Sequence, residues 1–131
     1  MGLAEKRWVQ ERKTNDEAAL ITQIKAIAQT EVAVEIDWES FANSIADAEY
    51  IASDSYGLPN LVKALKEITV DDLGKDAIKG GLKKIVVTAA PAEKVAFTFS
   101  QGVVTWKAYF GSSSSGYIYA DAMKKAIEAE L

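Results

Sequence analysis

The chain has 131 residues, 49% of them hydrophobic and 26% charged, with a net charge of −4. That length fits one domain that buries roughly two-thirds of its unfolded surface in a single core, and the composition is that of a globular rather than a disordered chain. The sequence contains neither histidine nor cysteine, which excludes disulfides, thiol chemistry, Ser-His-Asp and Cys-His nucleophile systems and most zinc sites.

Residues 1–13 set Trp8 and Val9 among charges of both signs and read as a frayed helix or an arm. Thr14-Asn15-Asp16-Glu17 matches a capping box, with Thr14 as cap and Glu17 reaching back. Leu20, Ile21, Ile24, Ile27 and Ala28 then recur at helical spacing, which predicts an amphipathic helix over about 15–30. Val32, Val34 and Ile36 alternate with Ala33 and Glu35 as a short strand does, although nothing in the pattern sets its place in a sheet. Asp37 is placed to cap a helix over about 38–54, with Trp38, Phe41, Ala42, Ile45, Ala48 and Ala52 facing inward. Pro59 suits a first helical position, and Leu58, Leu61, Val62, Leu65 and Ile68 mark a third helix. Thr69 caps a fourth, which carries Leu73, Ala77 and Ile78 inward and stops at Gly80-Gly81. Lys84 to Ala90 reads as a strand, with Ile85 and Val87 able to pair beside Phe97 and Val95.

The firmest local pattern is Lys94 to Phe110. Val95, Phe97 and Phe99 alternate with polar or small residues, and Val104, Trp106, Ala108 and Phe110 do the same after Gln101-Gly102. A two-residue turn there pairs Phe99 with Val104, Phe97 with Trp106 and Thr98 with Thr105, whereas a slip of one residue mixes the faces. Gly102 supplies the positive φ the turn needs, while Gln101 suits it less well and leaves a bulged turn open. A hairpin with this much aromatic surface needs helices to cover it. Gly111 to Gly116, GSSSSG, reads as a flexible loop, and Ile118, Ala122, Met123, Ala126 and Ile127 predict a last helix over about 118–130.

The order helix, strand, three helices, three strands, helix predicts a single α+β domain over 1–131 in two layers. Its antiparallel sheet of three or four strands (about 84–90, 94–100, 103–110, with 32–36 as the candidate fourth) is covered on one face by about five helices. No apolar run approaches the 18 residues of a membrane span, and the N-terminus lacks the apolar core of a secretory signal. The expectation is a cytoplasmic protein.

No phosphate loop, dinucleotide fingerprint or calcium loop is present. GSSSSG before a helix suggests an anion site, but the Lys of a phosphate loop does not follow it, and a connector is the simpler reading. Asp71, Asp72 and Asp76 resemble an acid cluster, yet carboxylates are favoured in a first helical turn anyway. Glu49 flanks an apolar stripe, where burial would raise its pKa, but such side chains ordinarily reach outward. No metal, cofactor or catalytic residue is predicted.

Charge placement carries more. Residues 31–57 hold Glu31, Glu35, Asp37, Glu39, Asp47, Glu49 and Asp54 and no Lys or Arg. On a helix over 38–54, Glu39, Asn43, Asp47 and Asp54 share the outward stripe, continued by Tyr56. Such a stripe is either a solvated helix face or a docking surface for a basic protein, and it repels nucleic acid and anionic lipid. The leading expectation is therefore a non-enzymatic protein-binding domain of the size and charge of immunity proteins or secretion chaperones, an analogy of class and not of motif. The alternative is a small-molecule binder or simple enzyme with a pocket between sheet and helices lined by Trp106, Tyr109 and Tyr117. Self-assembly is a third, since Val103, Thr105 and Tyr109 leave the second sheet face only half polar and a homodimer would cover it.

Overall fold

The computed structural model describes residues 2–131. The N-terminal helix α1 is one continuous rod made of α-helical Leu3–Arg12, π-helical Lys13–Glu17 and α-helical Ala18–Ala28. It is followed by strand β1 (Ala33–Ile36), the short helix α2 (Trp38–Ala42), a 3-10 turn (Ile45–Ala48), α3 (Pro59–Ile68) and α4 (Asp72–Gly81). Then come β2 (Lys84–Ala89), a 3-10 turn (Ala92–Lys94), β3 (Ala96–Ser100), β4 (Val103–Ala108), a 3-10 turn (Ser114–Gly116) and α5 (Ala120–Glu128). The fold is α+β, with five helices over one four-stranded open sheet in the order β1-β2-β4-β3.

The hairpin forms in the register its alternation demands, with Phe97 opposite Trp106, Thr98 opposite Thr105 and Phe99 opposite Val104. Gln101 and Gly102 both take positive φ, 53° and 81°, so the turn is the two-residue type whose twist matches the strands. Val104, Trp106, Ile85 and Val87 are buried on the covered face. Ser100, Thr98 and Lys107 lie open on the other, with Val86, Val103 and Thr105 half-buried.

The sheet is mixed where an antiparallel one was expected. Only β3 and β4 run antiparallel; β2 pairs with β4 in parallel, and β1 pairs with β2 in parallel at the edge. β2 therefore does not lie beside Phe97 and Val95. Pro91 and the 3-10 turn after it carry the chain past the position that β4 then fills, so the strand that comes last in sequence sits between the two before it. Both arrangements bury Ile85 and Val87, and alternation alone does not choose between them.

Three helix boundaries also differ from expectation. Thr14 caps nothing: the dihedrals of Arg12 at −65° and −42° are helical, and an Arg12–Asp16 ion pair of 2.9 Å spans the π segment. Glu17 instead accepts a 3.2 Å hydrogen bond from the Trp38 indole, and Trp8 meets Trp38 edge to face at 6.0 Å. Those contacts and the buried Val9 hold the N-terminal segment in the helix, where a frayed helix or an arm was expected. Asp37 does cap α2, accepting from the Ser40 amide at 3.2 Å, but that helix ends at Ala42 rather than near 54. Backbone bonds to the strand end replace its later turns: the Phe110 amide donates to Asp47 at 3.2 Å and the Tyr50 amide donates to Phe110 at 2.8 Å. A helix over 38–54 would have used those groups internally. Finally, Thr69 turns its hydroxyl back to the Leu65 carbonyl at 2.9 Å, and Asp71 caps α4 by accepting from Gly74 at 2.8 Å. Leu73, expected inward, is 82% exposed.

Candidate functional site

β2 and β4, neighbours and parallel, end side by side at Ala89 and Ala108. Crevices at the carboxyl ends of adjacent parallel strands are where open sheets usually carry their sites. Here the segments 43–57, 90–95 and 109–119 meet. Residues 47–50 are tied to Phe110 through the two backbone bonds just described, and the Ala90 amide donates to Ala108 at 2.9 Å.

The five tyrosines of the chain converge at this end. Tyr56 stacks on Tyr117 with ring centres 4.6 Å apart and meets Tyr50 edge to face at 5.8 Å. Tyr117 stacks on Tyr109 at 6.4 Å, and Tyr119 lies 6.4 Å from both Tyr56 and Tyr117. Tyr56 and Tyr119 are exposed, at 37% and 46%, and the other three are half-buried.

Local backbone requirements build this cluster. A Cβ at Gly57 would overlap the carbonyl oxygens of Tyr50 and Ile51, so only glycine lets the loop double back and bring Tyr56 to Tyr50. Asn60, buried in α3, donates to the carbonyls of Ser55 at 3.0 Å and Gly57 at 3.3 Å, and accepts from the Ala120 amide at 3.3 Å. One amide side chain thereby fixes the Tyr56 loop to the start of α5. GSSSSG is more than a connector, because it folds around Tyr109. A Cβ at Gly111 would stand 2.7 Å from the Tyr109 Cζ, and one at Gly116 2.6 Å from its Cδ1. The Tyr117 hydroxyl donates to the Gly111 carbonyl, and the Ser113 amide donates to the Tyr109 hydroxyl at 3.3 Å.

The acidic segment divides. Glu31 pairs with Lys25 at 2.6 Å, Glu35 with Lys84 at 3.0 Å and Glu39 with Lys13 at 3.6 Å, while Asp37 serves as a cap. Among the described residues Asp47, Glu49 and Asp54 have no Lys or Arg within ion-pair distance, and all three belong to the segment that carries Tyr50 and Tyr56. Asp121, two residues after Tyr119, shares with Asp54, Tyr119 and Lys63 the wall of a groove of about 390 Å³. Asn43 and Asp47 line a second groove of about 290 Å³ with Ser44, Ala89 and Pro91.

The predicted site residues are thus regrouped. Glu39, Asn43, Asp47, Asp54 and Tyr56 share no helix stripe, because α2 stops at Ala42; Asp47, Asp54 and Tyr56 still reach one end of the molecule. Tyr109 and Tyr117 come together there. Trp106 does not join them: it is 1% exposed, set edge to face against Phe97 at 6.1 Å and Phe110 at 5.3 Å. Nor does Tyr109 extend the open sheet face, since β4 ends one residue earlier. Sequence reasoning missed Tyr50, Tyr119 and Asn60, and of these only Asn60 left a signal, a polar residue inside the apolar run of α3. Among the described residues no three Asp or Glu side chains are grouped to hold a metal ion, and no helix is long and apolar enough to cross a membrane.

Chemically the cluster offers aromatic faces and hydroxyls rimmed by carboxylates. Burial, and after it the neighbouring phenols of Tyr50, Tyr109, Tyr56 and Tyr119, raises the Tyr117 pKa above the ordinary 10.0, so its hydroxyl stays a neutral donor. The folded chain therefore holds this proton more tightly than the unfolded chain does. The resulting stability is complete below about pH 10 and is lost as pH rises through the raised value. Thermal unfolding followed from neutral to strongly alkaline pH should show a steeper alkaline loss in the native chain than in Tyr117→Phe; parallel profiles would contradict the raised pKa of this half-buried phenol. Comparison with protein-family models, with curated proteins and with solved structures returns no match, so function is argued from this geometry.

Proposed function

We propose that this chain is a non-enzymatic protein-binding module whose tyrosine end takes a basic segment of a partner protein. The observation that carries the reading is the convergence of all five tyrosines beside Asp47 and Asp54, acids of the 31–57 segment left without a cation or a capping role, with Glu49 next to Tyr50 in the chain. Lys and Arg sit favourably over tyrosine faces, at about 0.5–1 kcal/mol each when exposed. Surrounding carboxylates steer such partners and set orientation. Tyr, Ser and Gly together are also the composition of loops that recognise proteins, since tyrosine supplies contact area at low entropic cost and serine and glycine supply adaptable hydrogen bonding. Here they occupy SDSYG and YFGSSSSGYIY, the two stretches that meet. A second reading, a small polar ligand in the groove of Asn43, Ser44 and Asp47, is favoured by its place at the carboxyl ends of β2 and β4 but limited by a volume of about 290 Å³, at the small end for ligand sites.

Titration with a short arginine-rich peptide, monitored by the aromatic NMR signals of Tyr56 and Tyr119, tests the proposal. Binding should weaken steeply as salt rises from about 0.05 to about 0.5 M. It should also fall roughly two- to fivefold for each of Tyr56→Ala and Tyr119→Ala, the worth of one exposed cation–π contact. An acidic peptide of equal length that binds as well, or an arginine peptide that leaves both rings unmoved, would refute it.

A further inference from the structure

The groove at the carboxyl ends of β2 and β4 has two unlike kinds of lining. Phe41, Ala89, Pro91 and Ala108 line it with carbon, and Asn43, Ser44 and Asp47 line it with an amide, a hydroxyl and a carboxylate. Ala89 and Ala108 are the last pair of β2 and β4, so two methyl groups leave open a space that larger residues would fill. Asp47 is the only charged side chain of the lining. Among the described residues, the side chains of Asn43, Ser44 and Asp47 have no hydrogen-bond or ion-pair partner. The frame around them is fixed. The Ser40 hydroxyl donates to the Asp37 carbonyl at 2.6 Å and accepts from the Ala89 amide at 3.0 Å, which joins one wall to the other. The Asp47 amide donates to the Ser44 carbonyl at 3.0 Å, and the Asp47 carbonyl accepts from Phe110. The tyrosine cluster adjoins this frame, because a Cβ at Gly111 would touch both the Asp47 Cα, at 3.1 Å, and the Tyr109 hydroxyl.

Resting on the reading of the tyrosine end as a site for a basic segment, we propose that this groove takes one lysine side chain of that segment. Lysine is an apolar four-carbon stem with a compact ammonium at its tip, and it buries the stem while the tip stays at the surface. The carbon lining suits the stem. Asp47 supplies the opposite charge, and Asn43 and Ser44 supply further acceptors for the three donors of the ammonium. A neutral side chain leaves Asp47 without a partner, and an acidic one is repelled by it. Arginine suits the groove less well. Its planar fork matches a carboxylate taken end-on or an aromatic face, and the neighbouring tyrosines offer such faces. A volume of about 290 Å³ is small for a whole ligand and suffices for one long side chain. The segment recognised therefore sets a lysine in the groove while its other cations lie over the rings of Tyr56 and Tyr119.

NMR titration of the full chain with N-acetyl-lysine methylamide, and with its arginine and norleucine analogues, tests this. The lysine compound should shift the methyl signals of Ala89 and Ala108 and the side-chain amide of Asn43, and the shifts should saturate. Norleucine, which keeps the stem and lacks the charge, should bind at these signals at least about fivefold more weakly. Asp47→Asn should weaken the lysine compound about fivefold, the upper worth of one exposed ion pair. That substitution disturbs no side-chain partner and leaves the backbone bond to Phe110 in place. Ala89→Leu, which fills the groove, should abolish the shifts at Ala108 and Asn43 while Tyr56 and Tyr119 still respond to the arginine-rich peptide. A norleucine or arginine compound that binds there as tightly as lysine overturns the proposal, as does lysine binding that ignores Asp47→Asn. The two readings fail separately. Rings that ignore the arginine-rich peptide sink the tyrosine site, and alanine methyls that ignore the lysine compound sink the groove.

Discussion

Trp106→Ala should cost the chain about 3–5 kcal/mol, the range for emptying a large aromatic site in a core. Trp106 is 1% exposed at the middle of β4, the strand paired on both sides, and its ring stands edge to face with Phe97 at 6.1 Å and with Phe110 at 5.3 Å. Phe110 in turn stacks on Phe41 at 5.7 Å, so the ring joins the sheet to the helical layer. Its removal leaves a cavity that rigid neighbours on both layers fill poorly, and a domain whose whole stability is roughly 5–15 kcal/mol has little reserve. Thr105→Ala, one residue away on the open face, should change stability by less than about 1 kcal/mol. Urea unfolding followed by circular dichroism decides the matter. Equal effects at the two positions would mean that the hairpin does not present one face to the core.

That contrast rests on a pattern that was readable in the sequence, for a physical reason. Period-two alternation and a two-residue turn are independent constraints, and at 94–110 both selected the register that puts Phe97 against Trp106. Pro59 and the stripe from Leu61 to Ile68 were readable likewise, because the helix they predict buries its stripe in one step. Strand order was not. Successive strands pair more often than not, which favoured β2 beside β3, and the intervening place of β4 is written in no local pattern. The 38–54 segment has the periodicity of a helix, and the helix stops because Asp47 and Tyr50 find backbone partners in Phe110, more than fifty residues on. Thr14 to Glu17 shows that a capping signature does not make a helix start when Val9 and Trp8 can dock the preceding turns.

The candidate site was legible only in fragments. Sequence reasoning put Tyr56 with the acids and Tyr109 with Tyr117 in a pocket, and the fold makes these one place. No spacing links residues 50, 56, 109, 117 and 119, since their meeting depends on β4 lying inside the sheet and ending beside the 47–50 segment. The excess of acids over 31–57 was legible, but which of them keep their charge for a partner was not. Glu35 and Glu39 find Lys84 and Lys13 in elements that no local pattern sets beside them, while Glu31 finds Lys25 back across the end of α1.

Two glycines of one helix give the second large effect, with opposite signs. Gly74 and Gly80 both lie in α4, and helix propensity alone favours alanine at each by about 1 kcal/mol. At Gly80 nothing stands within 4 Å of the added carbon, so Gly80→Ala should stabilise by about 0.5–1 kcal/mol. At Gly74 the carbon would overlap the Ile68 carbonyl oxygen and stand 2.9 Å from its carbon. That obstacle is backbone at the end of α3, which cannot swing aside as a side chain would. Relief requires α4 to slide, and sliding draws the Gly74 amide away from the Asp71 carboxylate 2.8 Å off. The overpacking penalty, about 3 kcal/mol at its upper range, then adds to about 1 kcal/mol for the lost cap. Gly74→Ala should therefore lower the urea midpoint by several times what Gly80→Ala raises it. If Gly74→Ala raises the midpoint as Gly80→Ala does, the close approach of α4 to α3 is wrong.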